Sequence, residues 1–134
     1  MTIKWNEPYA RCKAKGDNEA IAALNSSCLA AADESIGYSR GLSQTLHGRH
    51  IPYVLLMHGG AFDAEMLSRL LNLYRSRCFQ FVTLPEAERD KFYGEDADLY
   101  LSPGPDSLEE SMTERHLSLP PHALATPSFD TMCC

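Results

Sequence analysis

The sequence predicts an α/β fold, and three observations along one stretch, Ile51 to Tyr93, carry the prediction. Tyr53 to Met57 is an uninterrupted apolar run with Pro52 at its mouth and His58-Gly59-Gly60 closing it. So short a run suits a strand buried on both faces better than a core helix. Next, Phe62, Met66, Leu67, Leu70, Leu71 and Tyr74 recur at the three-and-four spacing of one helical face. Asp63 and Glu65 stand in its first turn and Arg75 and Arg77 in its last, as the helix dipole favours. Finally, Phe79, Phe81, Val82 and Leu84, with Thr83 among them, are β-formers. Strand, helix and strand in that order make one βαβ unit, with parallel pairing and a right-handed crossover. This puts His58 at the carboxyl end of its strand, where ligands and catalytic groups gather in α/β folds.

The elements follow in chain order. Around the only tryptophan, Trp5, the residues Asn6, Pro8 and Tyr9 read as an irregular loop. From Asp17 to Leu46 the pattern is helical: Ile21, Leu24, Cys28, Ala32, Ile36, Leu42 and Leu46 line one side, and Asp17 is the N-cap. Gly37 and Gly41 each cost about 1 kcal/mol in a helix interior, so a bend or break is expected there. Gly48 ends the helix where a left-handed residue is wanted. After the βαβ unit, Pro85-Glu86 opens a short helix through Glu88, with proline at a permitted first-turn position. Residues 1–93 form the domain-like part and 94–134 a weakly ordered tail. That tail is acidic and broken by Pro103-Gly104-Pro105, carries a short helix from about Ser107 to Arg115 on which Leu108 and Met112 share a face, and ends in a proline-rich stretch with no period. Two strands cannot cover both long helices, so the chain reads as part of a larger fold.

At 134 residues, with 44% apolar side chains, the chain holds one domain at most. A net charge of −6 argues against nucleic acid and against an anionic membrane surface as partners. No apolar run approaches transmembrane length, and no signal-peptide layout opens the sequence. Cys12, Cys28, Cys78, Cys133 and Cys134 show no C-x-x-C spacing. Cys28 and Cys78 read as small buried hydrophobes, and the adjacent Cys133-Cys134 reads as an incidental feature of the tail rather than a metal or redox site. His47 and His50, the nearest histidine pair, flank a glycine turn without a carboxylate partner and read as exposed rather than metal-ligating.

Two families end a strand with something like LLMHGGAF. In α/β-hydrolases, an H-G-G-G run supplies oxyanion-hole donors, but that chemistry needs a G-x-S-x-G elbow, and this chain has none. The longer likeness is to the polysaccharide deacetylases, a family of carbohydrate esterases and amidases. Trp5 to Cys12, Gly48 to Pro52, Val54 to His58, Phe79 to Leu84 and Glu86 to Asp90 together resemble, in order and spacing, the carboxyl-terminal part of such an enzyme. The resemblance implies a partial (β/α) barrel, with a long helix before a late βαβ unit and an irregular tail. It also implies metal-dependent hydrolysis of N-acetyl groups on an amino-sugar glycan, with a zinc-like divalent ion activating water.

The family's T-F-D-D and H-[ST]-x-x-H-P motifs, which carry the base and the metal ligands, do not occur here, so no metal ligand is assigned and the chain alone is expected to be inactive. By resemblance, His58 is the acid that protonates the leaving amine, Leu56 helps form the pocket for the acetyl methyl, and Trp5 walls it. On residue pattern alone, a capping or core histidine at a strand end is the better reading of His58, and only the resemblance favours the acid role. The alternative to a deacetylase is a non-catalytic interaction fragment, or half of a split enzyme whose amino-terminal half is a separate chain.

Overall fold

A computed structural model describes residues 3–96, 108–121 and 128–134. Among them are six helices and no strand: α1 Ile3–Lys15, α2 Asn18–His47, α3 Ala61–Ser76, α4 Leu84–Ala87, α5 Lys91–Asp96 and α6 Leu108–Glu114. The chain packs as two units. Unit 1 comprises Met1–Glu34, Leu55–Gln80 and Leu124–Cys134, and unit 2 comprises Ser35–Val54 and Phe81–Ala123.

Unit 1 is built on the apolar faces of α1, the first part of α2, and α3. On α1, Trp5, Tyr9 and Cys12 stand at i, i+4 and i+7 and are all buried. Pro8 lies inside this helix and removes one intrahelical donor, a loss confined to the amino-terminal half. Leu24, Cys28 and Ala32 of α2 and Phe62, Met66 and Leu70 of α3 close the same cluster. Trp5 stacks on Phe62 with ring centroids 6.4 Å apart, and Tyr9 meets Phe62 at 5.4 Å. On the outer side, Arg77 grips Asp33 with two bonds of 2.6 Å, and that guanidinium lowers the carboxyl's pKa.

Unit 2 gathers around Leu42, Leu46 and Met112, with Tyr38 and Leu108 packed against them. Its loops are tied by polar bonds. Ser43 and Tyr53 hydroxyls meet at 2.6 Å, Tyr93 O–H donates to the Pro52 carbonyl at 2.9 Å, and Arg115 donates to the Leu46 carbonyl at the end of α2. Arg49 clasps both oxygens of Asp90 at 2.9 and 2.6 Å, while Asp90 also accepts the Phe92 N–H in the first turn of α5.

This architecture overturns the expected α/β class and, with it, the partial barrel. Tyr53–Met57 is not a strand: Val54, Leu55 and Leu56 are exposed. A strand buried on both faces needs neighbours, and α3 instead sets its apolar side against α1 and α2. Phe79–Leu84 is likewise irregular up to the start of α4, with Phe81 and Val82 exposed. The opening segment is helix rather than loop, and α2 runs unbroken through Gly37 and Gly41. Cys78 is exposed and left-handed (φ 64°) just past the end of α3. Other expectations hold locally. Asp17 Oδ1 accepts the Ala20 N–H at 2.9 Å, Gly48 is left-handed (φ 64°), α3 covers the expected span, and Glu86 accepts from both the N–H and the hydroxyl of Thr83 at the head of α4. Within the supposed tail, α6 buries Met112, and Phe129, Met132 and Cys133 pack on the unit 1 core. Residues 97–107 and 122–127, including Pro103-Gly104-Pro105, lie outside the described residues.

Candidate functional site

Unit 1 holds all three residues singled out from the sequence, in two different environments. Trp5 is 3% exposed, sealed by Phe62 on one side and by Phe129, 5.9 Å away, on another. In this position it is a core residue and walls no open pocket. Leu56 and His58 lie on the irregular segment between Leu55 and Gly60, both exposed, with Leu56 at 66%. Met57 between them turns inward onto the core cluster. Apart from Met57, the residues from Leu55 to Gly59 are all exposed, Leu56 and His58 among them. None of the backbone groups of Leu55–Gly59 is hydrogen-bonded within the described residues.

Past this segment the chain enters α3 through a contact that sequence reasoning missed. Gly60, the N-cap of α3, offers no side-chain cap. Asn6 of α1 takes over that task. Its Oδ1 accepts the Phe62 N–H at 3.2 Å, and its Nδ2 donates to Asp63 Oδ2 at 2.9 Å. The first turn of α3 is thus capped from another helix, and the cap is held by a carboxylate of the turn it caps. A Cβ at Gly60 would stand 2.3 Å from Asn6 Oδ1, so a larger residue there has to push the Asn6 side chain off its cap. The other oxygen of Asp63 is buried without a partner among the described residues, as is Trp5 Nε1. Burial, and then the nearby Asp63 charge, push the Cys28 thiol up to about 11, so it stays protonated and inert at neutral pH.

A second feature fastens residues 128–134 to α1. A disulfide joins Cys12 to Cys133, with the two Cα atoms 5.1 Å apart. Beside it, Arg11 donates to the carbonyls of Met132 (3.1 Å), Phe129 (2.9 Å) and Asp130 (3.4 Å), and to Glu7 (2.9 Å). Lys15 reaches the Cys134 carbonyl. The expectation that Cys133 is incidental is therefore corrected. No local signal could have found the pairing, because its two ends are 121 positions apart. Between α1 and this turn lies a groove of about 470 Å³ lined by Lys4, Glu7, Pro8, Arg11, Ser128, Phe129 and Asp130. Much of its polar wall is spent internally, as Arg11 is committed to carbonyls and Ser128 donates to Asp130 at 2.8 Å.

Among the described residues no three or more His, Cys, Asp or Glu side chains converge where an ion could sit, and the His47 ring lies edge-on against Phe92 at 5.1 Å. Nor is any helix of the described residues long and apolar enough to cross a membrane. Compared with protein-family models, with curated proteins and with solved structures, the chain matches none.

Proposed function

We propose that this chain is a non-catalytic interaction module whose docking stretch is Leu55–Gly59 of unit 1, and that its partner is the same stretch of a second copy, laid alongside it in antiparallel. The observation that carries the reading is a two-thirds-exposed leucine, Leu56, in a stretch whose backbone donors and acceptors are all unpaired within the described residues. Backbone groups so presented accept an added strand, with hydrogen bonds giving affinity and outward side chains giving specificity. The stretch carries no Asp, Glu, Lys or Arg, so two copies meet without like charges in register. Two exposed leucines per copy make a small contact, so the association is transient, with Kd on the order of 0.1–1 mM.

Sedimentation of the full chain over roughly 10 µM to 1 mM tests this. A molecular mass that rises with concentration, and does not rise in Leu56→Asp, supports the module. A monomer throughout, or an equal rise in Leu56→Asp, rejects it. Hydrolysis of N-acetyl groups rests on the resemblance alone. Metal-dependent release of acetate from a chitooligosaccharide by the purified chain would establish that activity instead.

A further inference from the structure

We infer that residues 128–134 are a redox-released strap on unit 1: a dithiol that reduces Cys12–Cys133 lifts the turn from α1, while the helices beneath keep their core. The strap is shallow. None of its seven residues is buried, and it holds no helix or strand. Its own backbone bonds are a pair inside the turn, from the Met132 N–H to the Phe129 carbonyl and from the Cys134 N–H to the Thr131 carbonyl.

Besides the disulfide, the hold on the strap comes from side chains at its edge. Arg11 reaches three of its carbonyls and Lys15 a fourth, while Phe129 and Met132 rest on the core cluster. Against these contacts stand the backbone freedom that seven ordered residues regain on release and the left-handed backbone of Cys133 (φ 56°), which side chains other than glycine rarely adopt. The disulfide decides the balance, because it keeps the turn within reach of α1 whenever the weaker contacts open. The core needs less from the strap. Leu24, Cys28, Phe62, Met66 and Leu70 meet across α2 and α3, and Asn6 ties α1 to the first turn of α3.

The bond is buried at one end only, since Cys12 has no exposure and Cys133 is partly exposed. A thiolate of the dithiol therefore attacks Cys133 Sγ and forms a mixed disulfide, as the bond to Cys12 breaks and Cys12 leaves as a thiolate that takes up a proton. The dithiol's second thiol loses its proton and attacks the dithiol's own sulfur in that mixed disulfide. This closes the dithiol's disulfide, and Cys133 departs as a thiolate that takes up a proton. The dithiol is oxidised by two electrons, and the chain's disulfide is reduced to two thiols.

The test is the rate at which a maleimide labels each cysteine of the full chain, mapped by mass spectrometry, before and after treatment with dithiothreitol and its removal without air. Cys12 reports the strap, because its sulfur is covered while the turn is seated. Cys28 reports the core, because it is buried and its thiol is pushed up to about 11 for as long as unit 1 stays folded. In the oxidised chain neither should label. In the reduced chain Cys12 should label at least about tenfold faster than Cys28, since an uncovered thiol titrating near ~8.5 holds far more thiolate than one at about 11. A Cys133→Ser/Cys134→Ser chain, which lacks the bond without any reductant, should show the same contrast. Cys12 labelling as slowly as Cys28 in the reduced chain or in the double variant means that the turn stays seated and overturns the inference. Cys28 labelling as fast as Cys12 overturns it too, because the bond would then be a staple of the whole core.

Discussion

Replacing Asn6 by alanine removes a cap and strands a carboxylate in one step. The Phe62 N–H loses its acceptor at the first turn of α3, a loss of about 1 kcal/mol for a typical cap. Asp63 loses its bond at Oδ2 while its Oδ1 is already buried without a partner, which costs a further ~1–3 kcal/mol. The expected destabilisation of unit 1 is therefore about 2–4 kcal/mol. Trp5, the only tryptophan, stacks on Phe62 in the same unit, so its fluorescence during urea unfolding reads the transition directly. Asn6→Ala and Asp63→Ala remove the same interaction, so in a double-mutant cycle the pair should cost less than the sum by about 0.5–3 kcal/mol. Gly60→Ala should weaken the same contact, because its Cβ displaces the Asn6 side chain. An Asn6→Ala chain within about 0.5 kcal/mol of the parent, or strictly additive single substitutions, would refute the capping account.

Two more outcomes are expected. The Arg49 guanidinium, and then the Phe92 N–H, hold the Asp90 carboxyl down at about 2. Since an unfolded aspartate titrates near ~3.9, the folded state binds this proton less readily. The clasp's contribution to unit 2 is thus complete above that pH and is lost as acid carries the group down through about 2. An NMR titration of the Asp90 side chain should show this low midpoint, and Arg49→Ala should raise it; a midpoint unchanged in Arg49→Ala would contradict the cause assigned. Reduction of Cys12–Cys133, which closes a loop across 121 positions, should lower unit 1 stability by about 2–5 kcal/mol in the same fluorescence assay, whereas an unchanged urea midpoint would mean that the bond constrains nothing.

What was legible in the sequence was what local physics decides. The three-and-four period of Phe62 to Tyr74, the Asp17 cap, the left-handed Gly48 and the Leu108/Met112 face all depend on residues within a turn or two of one another. The α1 helix was not legible in this way: Asn6, Pro8 and Tyr9 around Trp5 read as an irregular loop, although Trp5, Tyr9 and Cys12 stand at helical spacing on one buried face. The buried face outweighs the proline because Pro8 sacrifices one hydrogen bond, whereas burial of that face contributes two large aromatic side chains and Cys12.

The Tyr53–Met57 run failed differently. Five apolar residues look alike whether they are buried between strands or held exposed at a surface, and the difference lies in neighbours that the run does not encode. His58 followed the run, so its expected place at a strand end went with it. Asn6 with Asp63 and Cys12 with Cys133 are partners 57 and 121 positions apart, which no local window of sequence brings together.

Amide hydrogen exchange across Leu55–Gly59, compared between dilute and concentrated protein, tests the account most directly. It predicts amides that exchange without protection in dilute solution, beside protected amides in α3, and that gain protection as concentration rises. Strong protection of these amides at the lowest concentration would mean a paired, buried strand, and would contradict both the helical architecture and the docking role given to Leu56.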